Sequence, residues 1–346
     1  MFISFFCIAT EPFKNRYPIM QSLKSILPLA DEIIVVLGRE EESSENEMRA
    51  LSDKIKIFKT NLWPEDWTYD VMTYHFDYAL KKCQGDFCVK FDIDYIFKFN
   101  DIDDLREIFL NYGNHHRIYL PKINYLDIGH WMIYKKGVYC INRKLIEEDY
   151  GEDSYWIGNS NYVNELMVDG EIKDVVVDGE VKVFNYDCSF MDKETFYEKH
   201  FRWYHAYLKK WGNLDHFNLS KEELFDKEKM VSYVINRVKD RIKNAAANKN
   251  IYFDSFKYNP PVIRKKLREM TPEMYGSRYF GLMGLEEILY DKIPNDKKHL
   301  DKKISAIRKY YETVEGDYDF LKKENGKMID ILMKRYGKDI YISKFV

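Results

Sequence analysis

Residues 32–38 read Glu-Ile-Ile-Val-Val-Leu-Gly, a continuous run of branched apolar side chains closed by a glycine. A strand with one face in water alternates polar and apolar residues, so an unbroken run belongs to a strand buried on both faces. Such a strand needs a layer above and a layer below, which means a parallel sheet covered by helices. The flanking segments supply that pattern. Phe2 to Thr10 is a second apolar run, and it breaks into the polar loop Glu11-Pro12-Phe13-Lys14-Asn15-Arg16. From Pro18 to Pro28, Ile19, Leu23, Ile26 and Leu27 fall on one helical face. Arg39 to Glu47 is an acidic loop leading into a short helix, Lys54 to Lys59 a third strand, and Trp67 to Cys83 another helix. In a sheet wound this way ligands bind beyond the carboxyl ends of the strands. Thr10, Gly38 and the end of the fourth strand are expected to converge there.

The fourth strand is the chemically informative one. Phe87 to Phe97 is rich in apolar and aromatic residues and reads as buried, yet it carries Asp92 and Asp94 on either side of Ile93. Side chains two apart on a strand share a face. Two like charges there are costly unless a cation or a hydrogen-bonded ligand lies beside them. Carboxylate oxygens favour Mg2+ or Mn2+, ions that commonly bridge protein to substrate phosphates. The competing reading is a solvent-facing turn with two acids.

At 346 residues, 45 % apolar and 32 % charged, the chain has the composition of a globular protein with a large core. A formal net charge of −3 gives no global field toward nucleic acid or anionic membrane. The five cysteines are scattered without metal-binding spacing, which predicts reduced thiols and a cytoplasmic protein. No segment has the apolar length of a membrane span, and Met1 to Ile8 lacks the basic flank of a leader, so it reads as the first strand.

The order of strand, loop with Asn15-Arg16, helix, Asp31-Glu32-Ile33-Ile34-Val35-Val36, acidic loop, strand, helix and then Gly85 to Asp94 resembles the nucleotide-binding half of GT-A glycosyltransferases, particularly glycosyltransferase family 2. The resemblance implies an α/β fold of GT-A type, Rossmann-like, with a mainly parallel central sheet and helices on both faces, over residues 1–212. A mostly helical region, 213–346, follows, with acceptor binding as its candidate role. By the same resemblance Asp94 ligates Mn2+ or Mg2+. Asp92 contacts the donor ribose or a metal-bound water. Thr10, Glu11 and Arg16 hold base and ribose, Gly38 follows the second strand at the base site, and Asp77 faces the donor pocket. At Gly38-Arg39 the chain lacks the acid that the family usually places against the base. The family's third metal ligand is a histidine; here Asn185 stands at that place, with Asp187 as the competing candidate. His200 and His205, five apart on the next helix, are not expected to be ligands. Glu152 and Asp153, in the acidic stretch 147–153, are the candidates for the base, against the alternative of a charged surface loop.

The implied activity is metal-dependent transfer from a nucleotide-diphosphate sugar, a UDP-sugar first among donors, to a glycan, polymer or modified nucleic acid. Two other classes compete: a nucleotidyltransferase activating a sugar phosphate, and a non-catalytic binding module on a transferase scaffold. Further strands are expected at 117–121 and 131–140, with a hairpin at 175–184 turning on Asp178-Gly179. Helices are expected at 194–210, 227–243, 262–270, 281–291 and 297–312. The basic clusters at 237–243 and 264–268, near Tyr252, Phe253, Phe256 and Tyr258, are either solvated helix faces or a surface for an anionic polymer or DNA.

Overall fold

The structure, a computed structural model, describes residues 1–39, 42–60, 67–127, 130–160, 163–179, 182–247, 251–253, 259–269 and 274. The chain divides into two units. The first comprises Met1–Asn124, Ile133–Asp187 and Tyr197–Met230; the second comprises Tyr125–Met132, Cys188–Phe196 and the chain from Val231 onward.

The first unit holds the parallel sheet. β1 (Ile3–Ala9) and β2 (Glu32–Leu37) pair in parallel, with Ser4 opposite Glu32 and Ala9 opposite Leu37. Ile33 to Leu37 are fully buried, as an unbroken apolar run demands. α1 (Ile19–Ile26) connects the two strands and buries Ile19, Leu23 and Ile26. α2 (Glu42–Arg49) leads to β3 (Ile55–Lys59), parallel to β2. α3 (Tyr69–Lys82) leads to β4 (Phe87–Lys90), parallel to β1, and Thr68 caps it by accepting the Val71 N–H. The order β3-β2-β1-β4 puts β1 and β4 side by side, so the loops that leave them open at one edge. This is the α/β architecture expected from the sequence.

Beyond β4 come β5 (Tyr95–Phe97), α4 (Ile102–Asn111), β6 (Arg117–Asp127) and β7 (His130–Asn142). β7 runs antiparallel to β4, Phe87 facing Asn142. α5 (Arg143–Tyr150) and the hairpin of β8 (Tyr155–Ser160) and β9 (Val163–Val168) follow. Then come β10 (Asp174–Val176), β11 (Val183–Asn185) and α6 (Lys193–Trp211), most of which lies in the first unit. α7 (Lys221–Phe225) carries a full capping box between Ser220 and Glu223.

Two expectations are corrected here. The run from 87 to 97 is two strands. β4 stops at Lys90, the chain turns, and β5 pairs antiparallel with β11. Phe91, Ile93 and Tyr95 stay buried through the turn, so hydrophobicity does not mark the break. Nor is 175–184 a hairpin. β10 and β11 each pair in parallel with β6, at residues 117–119 and 122–124, and the stretch with Gly179 at φ 121° loops out between them. An Asp-Gly pair specifies a tight turn but not that its flanks pair with each other.

In the second unit, β12 (Ile251–Phe253) pairs antiparallel with residues 130–132 at the start of β7. α8 (Lys227–Ala247) enters this unit at Val231. α9 (Pro261–Arg268) buries Ile263 and Leu267 and carries Lys266 over the Phe190 ring at 4.9 Å. The helices expected at 281–291 and 297–312, and the aromatics Phe256 and Tyr258, lie outside the described residues. No described helix is long and apolar enough to cross a membrane. All five cysteines are buried thiols.

Candidate active site

The loop after β1 and the end of β2 are bound to each other. The Gly38 N–H donates to Ala9 O (2.8 Å), the Glu11 N–H to Arg39 O (2.6 Å), and the Arg39 N–H to the Thr10 hydroxyl (3.3 Å). Glu11 and Arg16 adopt φ of 44° and 57°, a left-handed conformation that is costly for residues with a Cβ and is concentrated at functional loops. Asn15 maintains it: its side-chain amide donates to Thr10 O and Glu11 O, and its Oδ1 accepts from Arg202 of α6 (3.1 Å). Thr10, Glu11, Arg16 and Gly38 therefore sit together at the carboxyl edge of β1 and β2.

The same edge carries the aspartates, on the turn after β4. Asp92 and Asp94 do not share a strand face, because pairing has ended before them. Asp92 is 42 % exposed at its side chain, whereas Asp94 is 6 % exposed. The turn is held by the Tyr95 N–H donating to Asp92 O (2.9 Å) and the Tyr186 N–H donating to Asp94 O (3.0 Å). Antiparallel pairing of β5 with β11, Tyr95 opposite Asn185, brings Asp187 in from the other side.

Three lysines meet these three carboxylates. Lys90 Nζ is 3.3 Å from Asp92 and 4.1 Å from the centre of the Phe76 ring. Lys199, from α6, pairs with Asp187. Lys122, from β6, donates to the Tyr95 hydroxyl at 2.5 Å. Burial and, after it, Asp187 push the Asp94 carboxyl up to about 7. Asp92 goes the other way: burial opposes its charge, but Lys90, Lys122 and the Tyr95 hydroxyl hold it below the ordinary aspartate range. Burial pulls the Lys122 ammonium down against the attraction of Asp92 and Asp94. Two neighbouring carboxylates driven apart in this way mark a functional-site candidate.

Asp94 Oδ1 is buried with no hydrogen-bond donor. An oxygen in that state is stabilised by a proton or a cation. Asn185 is committed elsewhere, its amide donating to Asn124 Oδ1 (3.2 Å) and its Oδ1 accepting the Asp187 N–H (2.9 Å). Among the described residues no three histidine, cysteine or acidic side chains lie close enough together to hold a metal ion by themselves.

Three expected site residues are elsewhere. Asp77 pairs with Lys81 (2.6 Å) and accepts the Ile157 N–H (3.2 Å), which fastens α3 to β8. Glu152 and Asp153 are exposed in the turn after α5, and Asp153 acts electrostatically on Lys81, at the end of α3. Because β7 is antiparallel to β4, the chain leaving β7 emerges beside Asp86, where Arg143 N donates to Asp86 O (2.9 Å). That is the amino edge of β4, opposite the aspartates. His205 stacks on Phe201 at 5.1 Å and His200 lies on the same helix.

The residues that sequence reasoning missed are Lys90, Lys122, Lys199 and Tyr95. Lys90 had a visible signal, a charge two positions before Asp92 in an apolar strand. Lys122 and Lys199 had none, because β6 and α6 reach the site only through the fold.

Comparison with protein-family models finds no match, and no curated protein matches the chain. Solved structures do align. S. aureus TarS 1–349 in complex with UDP-GlcNAc aligns at 13 % identity, over 80 % of this chain and 90 % of that one, with a TM-score of 0.36. The galactosyltransferase LgtC in complex with donor and acceptor sugar analogs aligns at 15 % identity, over 43 % and 60 %, with a TM-score of 0.29. Glucosyl-3-phosphoglycerate synthase from Mycobacterium tuberculosis, in complex with Mn2+, UDP and glucosyl-3-phosphoglycerate, aligns at 17 % identity, over 36 % and 44 %, with a TM-score of 0.25. Scores this low carry no conclusion about what this chain does.

Proposed function

We propose that the chain is a glycosyltransferase that takes a sugar from a nucleotide-diphosphate donor, a UDP-sugar first among the candidates, at the edge formed by residues 10–16, Gly38 and 92–94. The observation that carries the reading is Asp94, a buried carboxylate with an unsatisfied oxygen beyond the end of β4. Open α/β sheets bind their ligands at that edge. In this reading Thr10, Glu11 and Arg16 take the base and ribose, and Asp92 takes ribose or sugar hydroxyls. Mn2+ or Mg2+ would be held by Asp94, with Asp92 and Asp187 contributing charge and the donor diphosphate completing the ligand set. The donor set fits such an ion, since its atoms are hard oxygens and one of them lacks any other partner. When bound, the ion offsets charge that develops on the leaving diphosphate.

Transfer breaks the bond between the anomeric carbon and the β-phosphate oxygen, which keeps the electron pair. The acceptor hydroxyl oxygen forms the new bond, and its proton passes to water. Residues 213–346 are assigned to the acceptor. An anionic polymer is one class to test, although on α9 Arg264 donates to Asn259 O (2.9 Å), Lys266 covers Phe190 and Lys265 lies 4.0 Å from Glu269.

Thermal unfolding with UDP, GDP and CDP, each with and without Mn2+, is the direct test. One nucleotide is expected to stabilise the fold by about 2.7 kcal/mol at a hundredfold excess over its Kd. The matching nucleotide sugar is then expected to be slowly hydrolysed. A flat response to all three nucleotides would remove the proposal. Filter binding of duplex DNA across a salt series checks the polymer acceptor, and no retention at any salt excludes DNA.

A further inference from the structure

We propose that Lys122 is the protein's own cation for the donor diphosphate, an inference that rests on the transferase reading above. Of the three lysines at the aspartates, two are already spent on carboxylates, Lys90 on Asp92 and Lys199 on Asp187. Lys122 differs. Its ammonium is drawn by Asp92, Asp94 and Asp187, yet among the described residues its hydrogen-bond partner is the Tyr95 hydroxyl at 2.5 Å and it forms no ion pair. An ammonium has three donors, so two remain for an incoming anion.

The fold holds this side chain in place from two sides. The Tyr95 ring lies 4.4 Å from Nζ and its hydroxyl receives the proton. On β7, Gly137 faces the stem. A Cβ there would come 2.5 Å from Lys122 Cγ and 2.6 Å from its Cβ, so only a glycine lets the lysine lie as it does. An incoming phosphate is held most readily by the ammonium that need not first leave a carboxylate. Lys122 thus binds diphosphate in addition to any divalent cation on Asp94, and some affinity for phosphate persists without that cation.

Isothermal titration calorimetry on the full chain tests this, with UDP, GDP and CDP each set against its nucleoside, in EDTA and in Mn2+. In EDTA the preferred nucleoside diphosphate is expected to bind about tenfold or more tightly than its nucleoside, as a charge-assisted hydrogen bond implies. Lys122→Met is expected to erase that difference and leave nucleoside affinity unchanged. Lys122→Arg is expected to keep part of it, and Tyr95→Phe to weaken it severalfold. A diphosphate that adds no affinity until Mn2+ is present overturns the proposal on the wild-type chain alone, whether or not the variants fold, and leaves the transferase reading standing. Equal diphosphate affinity in Lys122→Met and wild type overturns it too. If no nucleotide or nucleoside binds in either condition, the transferase reading falls and takes this inference with it.

Discussion

Asp94→Asn is expected to lower donor-sugar hydrolysis and transfer by on the order of 10²–10³-fold, because it removes the charge that would hold the cation of the leaving diphosphate. The same change is expected to raise stability at pH 8, by about 2 kcal/mol. The sign follows from the carboxyl's shift, from an ordinary value of 3.8 up to about 7. Between those limits the folded chain holds a proton that the unfolded chain releases, so stability declines as pH rises from about 4 to about 7 and stays at the lower level above. Asparagine carries no charge to bury, and the decline should flatten. Urea unfolding of both proteins from pH 4 to pH 8, beside a donor-hydrolysis assay, reads both effects. A variant that keeps wild-type hydrolysis would dismiss Asp94 from the chemistry. A variant that is inactive but less stable at pH 8 would mean that its buried oxygen is satisfied in some other way.

Glu32→Ala is expected to cost on the order of 3 kcal/mol. The carboxylate is buried at the amino edge of β2, where Oε1 accepts from the Ser4 hydroxyl (2.6 Å) and the Gln84 N–H (2.5 Å), and Oε2 pairs with Lys56 (2.7 Å). Ser4 in turn accepts the Gly85 N–H at 2.8 Å. One side chain therefore links β1, β2, β3 and the start of β4. Alanine would leave the buried Ser4 hydroxyl and the Gln84 N–H without their acceptor. Burial works against the charge, but the bonds from Lys56, Ser4 and Gln84 hold this carboxyl below the ordinary glutamate range. Its contribution is accordingly present at neutral pH and lost only as acid carries the pH down through that depressed value. Denaturant melts at pH 7 check the size; a loss below about 1 kcal/mol would show that water replaces the missing carboxylate.

Much of the sheet was legible because its signals are local. Ile33 to Leu37 need two covering layers wherever they sit, and the helical spacing of Ile19, Leu23 and Ile26 names the face that α1 buries. Thr10, Gly38 and the two aspartates are expected together because strand ends in such a sheet share an edge, whereas Glu11 and Arg16 enter through the family resemblance. The sequence says least where the deciding partner is distant along the chain. Glu152 and Asp153 follow a strand, but only the antiparallel pairing of β7 with β4 reveals that this strand ends at the wrong edge. Asp77 reads as a polar helix residue until Ile157 and Lys81 are seen to occupy it.

The sequence by itself determined a parallel α/β core and a pair of aspartates at the edge where such cores bind ligands, because backbone alternation and apolar periodicity are properties of neighbouring residues. Only the tertiary structure decided the electrostatics of that pair. It turned Asp94 inward and Asp92 outward, brought Asp187 toward them through β11, and set Lys90, Lys122 and Lys199 among them. Charges act through space, and the distances that set their strength exist only once the chain has folded.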